Sequence, residues 1–364
     1  MSKTMSEAAE RPAAVIVAGP TASGKSALAL DLAEAFDGVV INADSMQVYR
    51  GLRVLTARPD KAASERAPHA LYGVLAPDDA CSAGRWRRMA LRQIDAAHRA
   101  GRLPILVGGS GLYLRALELG LSPIPPIPTE IHKAAMNRHH ELGGAAFHAA
   151  LAERDPVAAA RLNPRDQFRL IRAWEVLEAT GRSIDRWQRM TGEPGLAHRR
   201  LRLVTLPPRP LLYANCERRF EAMMDAGAPG EVRRLLERGL DPDLPIMKAV
   251  GVRELGRFLS GEWTAERAVS AAQQATRNYA KRQITWLRNQ MLAGTPEQYA
   301  DRVAGAPPWA GAAERSTGAG TTANPANLVR PMGADTWVVN AQYSESFLPR
   351  IFRILRDFLL TTPG

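Results

Sequence analysis

Ala14-Val15-Ile16-Val17-Ala18-Gly19-Pro20-Thr21-Ala22-Ser23-Gly24-Lys25-Ser26, continuing into Ala27-Leu28-Ala29-Leu30-Asp31-Leu32-Ala33, is the stretch on which the fold turns. An apolar run of strand type leads into G-x-x-x-x-G-K-S, and a run with helical spacing follows. Glycines at 19 and 24 let the backbone turn tightly, so that successive N–H groups face one concave site, and the dipole of the following helix adds positive charge there. Gly19, Pro20, Thr21, Ala22, Ser23, Gly24, Lys25 and Ser26 are therefore expected to cradle a diphosphate or triphosphate. Lys25 supplies a full charge, and the Ser26 hydroxyl is placed as a ligand for Mg²⁺.

Outward from that loop, strand and helix patterns alternate. Val39–Asn42 reads as a second strand running into Asp44-Ser45-Met46-Gln47, Leu71–Leu75 as a third, and Ser82–Ala100 as a helix closed by Gly101. Leu103–Val107 reads as a buried strand ending in Gly108-Gly109-Ser110-Gly111. Such alternation predicts parallel βαβ units, hence an α/β, doubly wound, mostly parallel sheet of P-loop type. Ligands in such sheets sit beyond the strand C-termini, so the segments 19–26, 44–47 and 108–111 are expected around one site. The proline run Ser122–Pro128 cannot continue a helix or a central strand, and residues 129–192 look helical throughout. Leu201–Leu206 reads as a strand returning to the sheet, and Met223–Gln290 as helical with breaks at 227–230 and 242–245.

The expected organisation is a disordered leader at 1–12, a first part of the α/β core at 13–121 and an inserted all-helical subdomain at 122–200. A second part of the core at 201–302 carries a basic helix, an Ala/Gly/Pro/Thr-rich flexible insertion occupies 303–335, and 336–364 form a closing strand and helix.

At 364 residues and 46% hydrophobic content, the chain has material for a sizeable core in each of two domains. No apolar run approaches the roughly 20 residues needed to span a bilayer, and Met1–Arg11 lacks the apolar segment of an export signal. Two cysteines, Cys81 and Cys216, can build neither a disulfide framework nor a cysteine-rich zinc site, so a cytoplasmic location is expected; the chain is also expected to be a monomer. The net charge of +11 exceeds what a small anionic ligand needs and points to a polyanion, most simply nucleic acid.

Asp44 stands just past a strand and beside the phosphate loop. A carboxylate there can take a proton from a nucleophile, hold Mg²⁺ through water, or cap the next turn. The strand Ile105-Leu106-Val107 ends in Gly-Gly-Ser-Gly rather than in the Asp that helps hold Mg²⁺ in P-loop hydrolases, so the loop is suited to a diphosphate used otherwise than in NTP hydrolysis. On a helix predicted over Ala271–Gln290, Arg277, Lys281 and Arg288 fall within roughly 40° of one another at about 100° per residue. Tyr279 and Trp286 lie on the other side with Ala272 and Ala275, and no acidic residue between 277 and 288 offsets the cationic stripe. A second basic group, Arg161, Arg165, Arg169 and Arg172, surrounds Phe168, which could stack on a base or fill a core position.

Taken in order, Gly19–Ser26, Asp44-Ser45-Met46-Gln47-Val48-Tyr49-Arg50-Gly51, Thr56-Ala57-Arg58-Pro59, Leu106–Leu114 and Ala280–Arg288 resemble the tRNA dimethylallyltransferase family. The resemblance implies transfer of a dimethylallyl group from dimethylallyl diphosphate to N6 of the adenosine 3′ to the tRNA anticodon, with Mg²⁺. It implies Asp44 as general base, with Lys25 and Ser110 also at the catalytic centre. It further implies contacts to the tRNA anticodon loop at Asp44, Ser45, Met46, Gln47, Ser110 and His132, and at Phe168, Arg169, Leu170, Ile171 and Arg172. Lys248, Ala249, Val250, Gly251, Val252 and Arg253 are implied as well, as are Lys281, Arg282, Gln283, Ile284, Thr285, Trp286, Leu287 and Arg288. The chain departs from the family pattern at Ser110 (usually Thr), at His132 (usually a basic residue, often Arg), and at Leu55 and Arg58 (usually Gly and Lys). Without the resemblance, the phosphate loop alone would favour a small-molecule or nucleotide kinase with Asp44 activating a hydroxyl. An RNA-binding protein with a relict loop is the third reading.

Overall fold

Strand β1 (Ala13–Ala18) is six residues with no charged or hydroxyl side chain, and Ala14 to Ala18 are completely buried. Such a segment is stable only at the centre of a sheet covered on both faces. The computed structural model, which describes residues 12–190, 192–292, 329–333, 335–340 and 343–361, places it there. The chain continues through α1 (Lys25–Ala35), β2 (Gly38–Asn42), α2 (Lys61–Arg66), β3 (His69–Ala70), α3 (Ala83–Arg99), β4 (Leu103–Gly108) and α4 (Gly111–Leu119). Four helices follow: α5 (Thr129–Arg154), α6 (Pro156–Arg161), α7 (Gln167–Thr180) and α8 (Ile184–Arg189). It then returns through β5 (Arg199–Thr205), α9 (Arg209–Asp225), α10 (Ala228–Leu236), α11 (Val252–Leu259) and α12 (Ala265–Gln290), and closes with β6 (Val329–Gly333), β7 (Thr336–Val339) and α13 (Leu348–Leu360).

The sheet order is β3-β2-β4-β1-β5-β7-β6, with every pairing parallel except the β6–β7 edge. After β1 the chain moves to one side, through β2, and later returns to the other at β5. The order of strands therefore switches at β1, and the crevice beyond its C-terminal end is where a doubly wound sheet takes its ligand. The core beneath is built from Val15, Val17, Leu28, Leu32, Ile105, Leu203 and, from the C-terminal helix, Ile351 and Leu355.

By contact, the chain divides into two units, Met1–Leu117 with Ala197–Gly364, and Glu118–Leu196. The second is helical with its own core, Phe147, Leu151, Leu170, Ile171 and Trp174 among others. Its helices have local causes. Asp155 and Asp166 accept from the N–H groups of Ala158 and Arg169, capping α6 and α7, and Gly181 closes α7 in the left-handed region at φ 65°.

Several sequence expectations are corrected. Leu71–Leu75 is not a strand: pairing with β2 is over by Ala70, because Leu71 (φ 65°) and Gly73 (φ 59°) turn the chain out of extended conformation. The strand expected at 201–206 begins at Arg199 and ends at Thr205. The helical run does break where expected, α9 ending at Asp225 and α10 starting at Ala228, with Gly227 as the new N-cap and Pro229 in the first turn. The basic helix begins at Ala265, capped by Thr264, six residues before Ala271. The flexible insertion expected up to residue 335 is overturned at its end, where Val329–Gly333 pairs antiparallel with β7 and Val329 is fully buried. Residues 1–11 of the expected leader, 293–302 of the second part of the core, and 303–328 of the insertion lie outside the described residues. Among the described residues no helix is long and apolar enough to cross a membrane.

The C-terminal helix belongs to the sheet's core, with Phe352 edge-on against Phe36 at 5.3 Å and Tyr343 donating to Asp31 of α1. Ile351→Ala is expected to lower stability by about 2–4 kcal/mol, whereas the exposed Arg353→Ala should stay within about 0.5 kcal/mol. Urea denaturation of the two variants measures both.

Candidate active site

Beyond the C-terminal ends of β1, β2, β4 and β5, four segments meet. The phosphate loop after β1 ends at Gly24, whose φ of 84° at the N-cap of α1 is strained for any residue with a Cβ. Under the loop, the Ser23 and Thr205 hydroxyls are 2.7 Å apart and wholly buried, joining it to the end of β5. The Lys25 ammonium donates to the Pro20 carbonyl at 3.1 Å. Burial lowers its pKa to about 8, with the charge of Arg219 pushing the same way and those of Asp44 and Cys216 opposing. Arg219, on α9, is held below its usual value by burial while Asp44 pulls it up, and an arginine stays cationic regardless. Two cations thus converge on the loop from different elements.

The turn after β2 is clamped by Asn42, the strand's last residue. Its Oδ1 accepts from Asp44 N–H at 2.8 Å, and its Nδ2 donates to the carbonyls of Asp44 and Leu71 at 3.0 and 3.1 Å. The Asn42 carbonyl in turn accepts from Trp86 Nε1 at 2.9 Å. Asp44 Oδ1 takes the Met46 N–H at 2.8 Å, and among the described residues its other oxygen accepts no hydrogen bond. Ser110 reaches across from the β4 loop: its hydroxyl accepts from Ser45 N–H at 2.9 Å and donates to Ser45 Oγ at 3.2 Å. The hydroxyl that replaces threonine's therefore ties two loops together. Burial raises the pKa values of Tyr72, Tyr113 and Tyr279, and the charge of Asp44 adds to all three, so the carboxylate sits among three neutral phenols. Gln47 holds the Thr56 and Ala57 carbonyls at 2.8 and 3.2 Å, and the buried Glu231 carboxylate collects the N–H groups of Arg53, Val54 and Leu55.

Helix α12 departs most from its expected surface. Arg277 is not part of a free stripe: it pairs with Glu217 of the adjacent α9, an acidic partner that inspection of one helix could not show. Lys281 and Arg282 are exposed, as is Arg288. Tyr279 and Trp286 turn inward, toward the β4 loop rather than a hydrophobic core. The Trp286 ring lies against Gly111, its nearest atom 2.2 Å from where a Cβ on that glycine would be. Gln283 and Leu287 are buried, so neither side chain presents a surface to RNA. Gln283 accepts from Thr21 N–H at 2.8 Å and donates to the Gly109 carbonyl at 3.0 Å, which removes the Thr21 amide from the phosphate cradle.

Of the other residues expected to touch tRNA, Ala249, Gly251 and Val252 are buried, while Lys248 and Arg253 are exposed. These two cations, with Arg257 and Arg282, line a cleft of about 760 Å³ between α11 and α12. In the helical unit, Leu170 and Ile171 belong to the core, whereas Phe168 is 78% exposed and does not fill a core position. Glu175, itself buried, accepts from Arg172 at 2.6 Å and lies 2.5 Å from His132 Nδ1. Arg219, Asn42 and Thr205 were missed in sequence. Asn42 had a signal in its adjacency to Asp44, but Arg219 and Thr205 lie about 175 and 160 residues further on and had none.

The IPP transferase family model matches residues 47–290, and the zeta toxin family model matches residues 1–71. A tRNA dimethylallyltransferase of Rhodospirillum centenum is 57% identical over 288 residues, 78% of this chain and 91% of that protein. One from Paramagnetospirillum magneticum is 56% identical, over 77% of this chain and 89% of its own length. Among solved structures, a tRNA isopentenylpyrophosphate transferase of Bacillus halodurans is 33% identical at a TM-score of 0.54, covering 77% of this chain and 88% of its own. A eukaryotic dimethylallyltransferase acting on tRNA has a TM-score of 0.73 at 22% identity, covering 97% of this chain and 80% of its own, and shares the fold.

Because the buried Asn42 side chain holds three backbone groups, Asn42→Ala is expected to cost about 2–4 kcal/mol of unfolding free energy, the sum of lost hydrogen bonds and a small cavity. Equilibrium denaturation reads it directly.

Proposed function

We propose that this chain, a member of the IPP transferase family, transfers a dimethylallyl group from dimethylallyl diphosphate to N6 of the adenosine 3′ to the anticodon of tRNA. The observation that carries the chemistry is one cleft holding both a phosphate cradle with two converging cations and a carboxylate with an unoccupied oxygen among tyrosines. The donor's diphosphate lies on the phosphate loop, against the first N–H groups of α1, Lys25 and Arg219. These charges stabilise it as the bond from the allylic carbon to the diphosphate oxygen breaks. The adenine amine is a poor nucleophile, its lone pair being delocalised into the ring. As its new bond to the allylic carbon forms, the N6 proton passes to the open oxygen of Asp44. Asn42 holds the Asp44 backbone and Met46 N–H holds its carboxylate, so the alignment of that carboxylate costs no reorganisation during the reaction.

Ser26 fits a magnesium site of the kind completed by substrate phosphates. It is exposed at the start of α1, and the described residues hold no cluster of three acidic, histidine or cysteine ligands that would form a cage of their own. Bound there, Mg²⁺ would neutralise charge on the departing diphosphate. Exposed Lys281, Arg282 and Arg253, and in the helical unit Phe168 and Arg169, supply phosphate and stacking contacts suited to an unpaired RNA loop.

Incubation with labelled dimethylallyl diphosphate, unmodified tRNA and Mg²⁺, followed by digestion and nucleoside identification, tests the activity. ATP turnover without RNA, and no prenyl transfer, would replace it with a kinase. Asp44→Ala is expected to lower the single-turnover rate by roughly 10²–10⁴ with tRNA affinity within a few-fold.

The low pKa of Lys25 gives a second expectation. Above pH of about 8 the free protein's ammonium is largely deprotonated, and an anion must draw a proton back to pair with it. Affinity for dimethylallyl diphosphate should therefore fall by up to ten-fold per pH unit above that point. Calorimetry across pH should show proton uptake on binding, and Lys25→Ala should abolish it.

A further inference from the structure

The residues quoted for the resemblance place Gln283 on an RNA-facing segment, yet the side chain points the other way. It is 5% exposed and stands between two loops of the site. Its Oε1 accepts from the Thr21 N–H of the phosphate loop, and its Nε2 donates to the carbonyl of Gly109 after β4. The partners dictate how the amide is turned, since an N–H requires the oxygen and a carbonyl requires the nitrogen. The fit is tight on the glycine side: a Cβ at Gly109 would lie 2.2 Å from Gln283 Nε2 and 2.6 Å from the Gly19 carbonyl. The next residue, Ser110, is hydrogen-bonded to Ser45 beside Asp44. A continuous chain thus runs from phosphate loop through the Gln283 amide and the Gly109–Ser110 turn to the Asp44 turn.

We infer that Gln283 is a positioning residue for the transfer: its one amide sets the separation between the loop that holds the leaving diphosphate and the Gly109–Ser110 turn, which is itself hydrogen-bonded to the Asp44 turn through Ser45. Neither substrate needs to touch it. Other ties reach each loop singly, the Ser23–Thr205 pair below the phosphate loop and Asn42 at the Asp44 turn. Gln283 spans both. In a displacement, the nucleophile, the carbon and the leaving oxygen must stand at near-bonding distances in one line, and an error of about 1 Å costs on the order of 10² in rate. Loss of the strap should therefore appear in the chemical step and not in the affinity for either substrate.

This inference deepens the transferase reading and rests on it. The test compares wild type with Gln283→Met, of similar length without donor or acceptor, and Gln283→Glu, which keeps an acceptor for Thr21 but loses the donor to Gly109. Single-turnover transfer to unmodified tRNA is measured beside the Kd of dimethylallyl diphosphate and the Kd of tRNA, each determined separately. The expected result is a rate lower by about 10–100-fold in the Met variant, with both affinities within about three-fold. Should the Met variant not fold, the Glu variant carries the same criterion. A folded variant whose rate falls less than ten-fold, or whose loss of rate is matched by an equal loss of affinity for one substrate, overturns the inference while the transferase reading stands. Absence of prenyl transfer by the wild type overturns both.

Discussion

Parallel pairing on both sides of β1 is the constraint from which the site follows. Ala18 is opposite Gly108 of β4 on one side and Val204 of β5 on the other, so these strands end at the same level. Asn42 of β2 stands opposite Val107, which brings the Asp44 turn to that level too. A parallel strand must be re-entered from the far end, so each C-terminus in such a sheet releases a loop on the same edge. Phosphate loop, carboxylate turn and serine turn are neighbours for that reason, although roughly 90 residues of chain separate the first from the last.

Within the crevice, charge is arranged by burial as much as by residue type. Burial and the charge of Arg219 both lower the pKa of Lys25, so an anion bound beside these two cations would relieve an unfavourable charge arrangement. The tyrosines near Asp44 work differently. Burial keeps them neutral, so they add phenol hydroxyls and ring surface without adding a second negative charge beside the carboxylate. The result is a crevice with cations at the phosphate loop and one anion at the turn after β2.

Helix α12 shows how one element serves two surfaces. Lys281, Arg282 and Arg288 are exposed, while Tyr279, Gln283 and Trp286 face the loops of the site. At about 100° per residue Lys281 and Arg288 lie opposite Gln283, Tyr279 and Trp286, with Arg282 at the edge between the two sides. Exposed cations and buried struts can therefore alternate along a short segment without conflict. The same logic applies in the helical unit, where Arg169 and Arg172 lie exposed beside the buried Leu170 and Ile171.

Much of this was legible beforehand, and the rest has identifiable reasons for being hidden. The phosphate loop, the doubly wound sheet and the helical insertion follow from local periodicity and from the positions of glycine, lysine and proline, which act through backbone conformation and need no distant partner. Asp44 could be placed because it adjoins a strand end. Four features required the tertiary structure. Leu71 was read as strand from its side chain, but its backbone turns left-handed. Val329 sits in a segment without an aliphatic pattern, and pairing with β7 makes it a strand. Arg277 looked like a solvated cation until α9 brought Glu217 against it. Gln283 was assigned outward with its basic neighbours, whereas burial against Thr21 and Gly109 turns it into a strut. The sequence by itself determined which atoms the site has to work with, because those chemistries reside in single residues and short loops. Which cations are neutralised, and how far apart the two loops stand, was decided only by folding, because both depend on groups brought together from up to 262 residues away.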